Sequence, residues 1–397
     1  MSVARRPILL IAFGLAACGP GAPDPDAGRA VMAEPGQPLP GITAADSARF
    51  AAGRLLFDRD FTAAEGLGPI FNQRRCASCH DLPALGGYGA EPVHKVTRWD
   101  AAASRCDLLA DQGGDVIQSQ VTDALRAAGV LPEAVPGGAT ASALVKPPSL
   151  FGAGLIDAIP DSAILARADP DDADGDGISG RAGMTADGRF GRFGRRGEFA
   201  SLHDFVAGAL LLEMGITSAE HPLEERRNGE PLAPGRDPAP DPEIAPETLA
   251  LIVDFVRFLA VPATPTGSAA LDDSLRAGRR AFDRAGCDAC HTPRMTTGPN
   301  ADPALDRKVV PLYSDLLLHD LGPGLTSICG PGAGPSEFRT APLMGLRLRQ
   351  PFLHDGRAGN IEEAIEAHGG EADASRSRYR QLDEGARAAL LRFLRGL

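Results

Sequence analysis

The chain is short of positive charge, with 40 Lys and Arg against 52 Asp and Glu in 397 residues and a formal net charge of −12. That balance argues against a nucleic-acid partner, which calls for a basic face. Large aromatics are scarce: there are three Tyr and a single Trp, Trp99, which reads as packing, since such side chains mostly fill core volume. The N-terminal apolar run, Ile8 to Ala17, is too short to span a bilayer as a mature helix. No strand–helix–strand alternation surrounds the cysteines, which removes the usual setting of a redox dithiol. Cysteine itself is sparse, seven in all, so its placement is informative.

Four of the seven fall in two copies of one pentapeptide, Cys76-Ala77-Ser78-Cys79-His80 and Cys287-Asp288-Ala289-Cys290-His291. Cys-x-x-Cys-His is the attachment site of c-type haem: the two thiols add across the porphyrin vinyl groups and the adjacent His lies under the iron. A zinc site would need four ligands gathered in space and gives no reason for His directly after both pairs. Two covalently bound haems c are therefore expected, haem 1 on His80 and haem 2 on His291.

Arg5 and Arg6, the short apolar core and Leu15-Ala16-Ala17-Cys18 make an export signal that resembles a bacterial lipoprotein signal. Residues 1–17 would be removed and Cys18 would carry lipid, with several acyl chains giving stable anchoring. The expected location is the periplasmic side, anchored to a bacterial membrane, with the outer membrane preferred. Residues 18–42, rich in Gly, Pro and Ala, read as a flexible tether. Cys106 and Cys329 remain, either paired across the two halves of the chain, as an oxidising compartment allows, or as buried free thiols.

One unit is used twice. Ala52-Gly53-Arg54-x-x-Phe57-Asp58-Arg59 precedes the first haem motif and Ala277-Gly278-Arg279-x-x-Phe282-Asp283-Arg284 the second. Each copy closes on an apolar segment of helical period, residues 248–260 and 385–397, both containing Arg-Phe-Leu and giving one buried stripe. The arrangement resembles cytochrome c, where an N-terminal helix leads into the motif and a C-terminal helix crosses it. The expected fold is mostly α: two cytochrome c-like domains in tandem, 43–262 and 265–397, with at most short strands. The break is set at Val261 to Pro265, where two prolines stop a helix. Phe57 and Phe282 are expected at the helix crossings, and a Pro-rich insertion runs from Asn228 to Pro246.

Beyond the haem motifs, Glu65-Gly66-Leu67-Gly68-Pro69, Pro147 to Leu155, Asp174 to Arg181, Gly191-Arg192-Phe193-Gly194, Glu213 to Thr217, Arg339 to Leu343, Phe352 to Ala358 and His368 to Ala372 together resemble the bacterial di-haem oxidoreductases of peroxidase type. These are relatives of di-haem cytochrome c peroxidases and di-haem rubber oxygenases. The resemblance covers most of residues 45–397. It implies that the residue 14 positions after His354, namely His368, completes the ligation of haem 2 opposite His291. Met344 is the runner-up ligand, and His354 is read as structural or propionate-contacting. A second imidazole in place of Met lowers that haem's potential. Glu213, before Met214-Gly215, matches the distal acid/base of haem 1, at the end of an apolar run that would desolvate it. The distal His of the peroxidases has no good match; His94 is the one histidine in the interval and reads as a surface residue. Their inter-haem Trp is matched by Phe193, which leaves peroxide turnover open.

Asp172, Asp174 and Asp176 have the acid spacing of a calcium loop, although position twelve is Gly183 where an EF-hand has Glu, so the alternatives are Ca²⁺ and an acidic surface turn. The leading function is a haem-dependent oxidoreductase. Electrons enter at haem 2 from a small cytochrome, cupredoxin or quinol-linked donor, and peroxide or another oxidant reacts at haem 1. The alternatives are an O₂-dependent oxygenase, an electron carrier with both irons six-coordinate, and a calcium-dependent haem-binding interaction protein.

Overall fold

The computed structural model describes residues 28–233, 235–264 and 269–397. The signal segment 1–17 and Cys18 lie outside the described residues. Ten α-helices occur among the described residues: α1 (Ala44–Asp58), α2 (Asp123–Ala127), α3 (Ala153–Asp157), α4 (Asp161–Leu165), α5 (Leu202–Met214), α6 (Pro246–Arg257), α7 (Ala269–Ala285), α8 (Ile361–Glu366), α9 (Asp373–Gln381) and α10 (Glu384–Leu394). No helix among them is long and apolar enough to cross a membrane.

Local chemistry sets the helices that matter most. Thr43 caps α1, its hydroxyl oxygen accepting the Asp46 N–H at 3.1 Å, and Ser201 caps α5 in the same way through Asp204 N–H. Such caps satisfy donors that a helix start leaves orphaned. Helix α6 begins on Pro246, whose fixed φ suits a first helical turn, and buries Leu249, Ile252, Val253, Phe255 and Val256.

The repeated sequence has a geometric meaning. Helix α1 packs on α6 and α7 on α10. At the first crossing a Cβ on Gly53 would come within 1.9 Å of the Leu251 carbonyl oxygen; at the second, a Cβ on Gly278 would meet the Ala389 carbonyl oxygen at 2.2 Å. Both helix pairs are thus in backbone contact at a glycine, and one turn later the repeated Phe fills the crossing as expected. Phe57 stands 4.8 Å from Phe255, and Phe282 5.7 Å from Phe393, between ring centroids. Each Phe also reaches the haem-motif histidine, Phe57 to His80 at 6.3 Å and Phe282 to His291 at 6.4 Å.

Three features correct the sequence reading. First, the fold is mixed rather than mostly α. The strand Val93–Asp100 pairs with Arg105–Asp107, Asp115–Val116 and Ala141–Val145 in a four-stranded antiparallel sheet, accompanied among the described residues by five two-stranded sheets. The long strand's partners are short and separated by loops, which hides the sheet from local pattern. Second, residues 28–42 are not a free tether. Met32 and Ala33 pair in parallel with Val261 and Pro262, and Val31 and Leu39 are buried. Their Gly/Pro content marks tight turns, not looseness. Third, the hydrophobic core does not divide at 262. One cluster unites Phe57, Phe151 and Phe255 with Met295, Leu312, Leu317 and Met344, while a smaller one gathers Phe282, Tyr379, Leu390 and Phe393.

Cys106 and Cys329 are bonded, with Cα atoms 5.7 Å apart across 223 positions of sequence. The bond ties the sheet to the C-terminal half, and the Cys329 N–H donates to Thr97 Oγ1 at 3.1 Å beside it. Replacing both cysteines with serine is expected to lower stability by about 2–5 kcal/mol, as opening a long cross-linked loop does. Thermal unfolding of the oxidised protein against the double variant measures it.

Candidate di-haem site

The four remaining cysteines are unpaired and sit beside two cavities. Cys76, Cys79 and His80 line one, of about 200 Å³; Cys287, Cys290, His291 and His368 line the other, of about 300 Å³. In each motif a 3₁₀ turn, Cys76–Ser78 or Cys287–Ala289, follows directly on the repeated helix or the strand after it. The turn brings both thiols and the His to one wall. Among the described residues, Cys290 groups with Asp315 and His319 within 4.8 Å, whereas Cys76, Cys79 and His80 fall in no such group, and neither motif gathers the four ligands of tetrahedral zinc.

The histidines pass a test of fit for haem iron. His80 Nδ1 donates to the Gly87 carbonyl at 3.1 Å, His291 Nδ1 to the Tyr313 carbonyl at 2.9 Å and His368 Nδ1 to the Ala364 carbonyl at 2.7 Å. A carbonyl can only accept, so each Nδ1 carries a proton, which leaves the Nε2 lone pair of His291 and His368 for a metal with ring orientation fixed; His80 also meets the Pro148 carbonyl. Burial pushes His80 and His291 down to about 4, and His368 also down, against the lift from these carbonyls. All three rings are neutral at ordinary pH, the state a metal would need. His291 and His368 line the same cavity, an arrangement that fits the expected pair. Met344 lines it too, but its thioether packs over Gly152 within the hydrophobic core.

Glu213 comes to the haem 1 cavity from the C-terminal end of α5. Its Oε2 accepts from Asn72 Nδ2 at 3.1 Å. Burial pushes its carboxyl up to about 7, opposed by the Lys95 ammonium and by Asn72, and reinforced by Asp115. Lys95 reaches the same cavity and pairs with Asp115 at 2.8 Å. Neither Lys95 nor Asn72 was singled out from sequence; strand period alone could have pointed to Lys95, two positions from Val93 on the cavity face. His94 is the residue between them. Its Nε2 bonds the Ser142 hydroxyl at 2.7 Å and it does not line the cavity, in keeping with a surface role.

The wall between the cavities is where sequence reasoning erred. Phe193 lines the haem 2 cavity alone, stacked on Phe205 at 5.8 Å. The residues shared by both cavities are Pro148, Leu150, Gly194, Arg195, Phe205, Phe338 and His354. Arg195 thus takes the dividing position two residues after Phe193. His354 is buried, 4.7 Å from the Phe338 ring, and burial pushes it down to about 4.

A further buried set escaped the sequence. His319 Nε2 bonds Asp315 Oδ2 at 2.8 Å and its Nδ1 bonds Glu371 Oε2 at 2.7 Å. Burial alone would favour a neutral ring, but Asp315, Cys290 and Glu371 hold it charged, well above the usual histidine range. Glu371 also accepts the Ser179 N–H and hydroxyl at 3.0 and 3.1 Å, joining the acidic loop to the haem 2 wall. In that loop the carboxylates of Asp172, Asp174 and Asp176 gather within 4.8 Å of one another, and two of the three residues are exposed. No local pattern in the sequence marks His319.

Comparison with known proteins gives a family. The family model described as "Di-haem oxidoreductase, putative peroxidase" matches residues 142–397. A curated relative, the methylamine utilization protein MauG of Methylorubrum extorquens, is 29% identical over 177 residues, covering 40% of this chain and 45% of that protein. The chain therefore spans less than half the length of that relative. Among solved structures, the diheme peroxidase BthA of Burkholderia thailandensis is similar at TM-score 0.41 and 15% identity, over 91% of this chain and 86% of that one. Hydrazine synthase of Kuenenia stuttgartiensis is similar at TM-score 0.44 and 14% identity, over 99% and 100%.

Proposed function

Because the chain belongs to the di-haem oxidoreductase family, we propose that it reduces an oxidant, peroxide first, at haem 1 with electrons received at haem 2. Covalently held haem supplies reversible one-electron iron chemistry and, where one iron face is open, a place for the oxidant to bind. The protein's own residues divide the work. His291 and His368 would hold the iron of haem 2, which suits electron entry without substrate binding. His80 would hold the iron of haem 1. Glu213, whose carboxyl titrates near neutral pH, takes a proton from the incoming oxidant and returns it to the departing oxygen; Asn72 orients its Oε2 and the Lys95 ammonium favours its ionised form. The observation carrying this reading is that His291 and His368 line one cavity while the other sets His80 beside Glu213, a buried acid, with His354 in the wall that both share.

The test uses reduced, haem-loaded protein. CO binding to one haem and rapid oxidation of both haems by H₂O₂ in stopped flow are expected. No CO complex, with two low-spin ferric signals in electron paramagnetic resonance, would establish the electron carrier in its place. Oxidation by O₂ but not by H₂O₂ would favour the oxygenase.

The same reading includes export, lipid attachment at Cys18 and an electron donor on the periplasmic side. It is supported by the export-type N-terminus and by the Cys106–Cys329 bond, since disulfides persist in oxidising compartments. The Asp172, Asp174 and Asp176 loop is read as a Ca²⁺ site, hard oxygens being its preferred ligands. Calcium added to chelator-treated protein is expected to raise the unfolding temperature; no change would leave the loop as an acidic turn.

A further inference from the structure

The wall between the cavities carries positive charge that the polypeptide does not neutralise. Arg195 lines both cavities, and Arg339 and Arg349 line the haem 2 cavity beside it. Their partners are backbone carbonyls. Arg195 Nη2 donates to Lys146 O at 2.7 Å, Arg339 Nε to Gly194 O at 2.8 Å and Nη1 to Thr340 O at 3.4 Å, and Arg349 Nη2 to Leu353 O at 2.9 Å. The buried Arg195 Nε has no acceptor. The charge of Glu198 reaches Arg195 and Arg339, and that of Asp315 also reaches Arg339; Glu198 Oε2 is occupied by the Arg196 N–H at 2.8 Å and Asp315 Oδ2 by His319 Nε2 at 2.8 Å. Crowding is such that burial, with Arg349 and Arg339 adding to it, pushes Arg195 down to about 9.

A guanidinium offers five donors and no acceptor. Leaving one buried without an anion costs several kcal/mol. Three of them, reached by two carboxylates that are already engaged, make a site for further anionic oxygens. The cavity they line is the one whose Cys287, Cys290, His291 and His368 fit a haem, and a haem brings two carboxylates of its own. We propose that Arg195, Arg339 and Arg349 bind the propionates of haem 2, and that Arg195, standing in the shared wall, sets the reduction potentials of both haems together. This rests on the two-haem reading of the site. A fixed positive charge in a low-dielectric wall favours the reduced iron, so these side chains oppose the lowering that a second imidazole, His368, imposes on haem 2. They also replace a redox-active aromatic in the dividing position with a group that stores charge but passes no electron.

Spectroelectrochemical titration of the full-length protein, after a pyridine haemochrome assay of each preparation, tests this. Fewer than two haems per chain in the wild type would sink the cofactor reading itself. With two haems present, Arg195→Gln is expected to move both midpoint potentials negative, Arg195→Lys to restore most of the shift, and Arg349→Gln to move haem 2 alone. Unchanged potentials in Arg195→Gln, a shift confined to one haem, or Arg195→Lys behaving like Arg195→Gln overturns the proposal. If Arg195→Gln does not accumulate, Arg339→Gln and Arg349→Gln decide: a negative shift of haem 2 in either supports the clamp, and no shift in both refutes it.

Discussion

Glu213→Gln is expected to slow oxidation of the reduced protein by H₂O₂ by about 10²–10⁴-fold, the usual worth of a positioned acid/base, while CO still binds. Glutamine keeps the shape and the Asn72 contact but cannot carry the proton. The pH dependence should follow. The carboxyl is raised to about 7 by burial, so its basic form is withdrawn as pH falls below that value, and the wild-type rate should fall with it. In Glu213→Gln that limb disappears. The sign for stability is the reverse of the ordinary acidic residue. Because the folded pKa exceeds the unfolded one, ionised Glu213 costs stability. The cost is absent below about pH 4.5 and full above about 7, on the order of 3 kcal/mol for such a shift. Glu213→Gln should therefore unfold at higher temperature than wild type at pH 8 and at nearly the same temperature at pH 4. An equal rate in the variant and wild type would remove Glu213 from the chemistry.

His368→Met should raise the haem 2 potential by on the order of 0.1 V or more, within the ~0.8 V range that axial ligands span. The thioether supports ferric iron less than imidazole does. His368→Ala should do something different in kind: it removes the sixth ligand and leaves a second iron face for CO. Near-infrared and electron paramagnetic resonance spectra of the two variants separate these outcomes. His368 is held by the Ala364 carbonyl just beyond α8, a local contact that neither substitution extends to the rest of the fold. If His368→Ala binds CO at a single haem with its low-spin signals intact, another residue ligates haem 2, and Met344 is the first alternative.

What was legible in the sequence was chemistry fixed by short spacing. Cys76 and Cys79 must stand three apart to span the vinyl groups, and His80 must follow to reach the iron, so the motif is readable without the fold. The helix repeat was readable because Phe57 and Phe282 serve the same crossing, although the glycine that permits the crossing was noticed only in three dimensions. Gly53 and Gly278 carried a signal in plain view, being identical in both copies. The inter-haem wall was not legible. It is assembled from residues near 150, 195, 205, 338 and 354, so distant in sequence that nothing singled out Arg195 two positions after Phe193. The four-stranded sheet failed for a related reason: three of its strands are five residues or shorter and gain their stability from the long strand Val93–Asp100 and the Cys106–Cys329 bond rather than from their own pattern. His319 is defined by Asp315 and Glu371, of which only the first is near it in sequence.

The account stands on haem being bound covalently at both motifs. Intact-mass measurement of exported protein from a host able to mature c-type cytochromes, with Cys287→Ala/Cys290→Ala beside it, tests that most directly. The wild type should carry the mass of two haems per chain and the variant that of one. A wild-type mass matching the bare polypeptide, or two haems persisting in the variant, would contradict it.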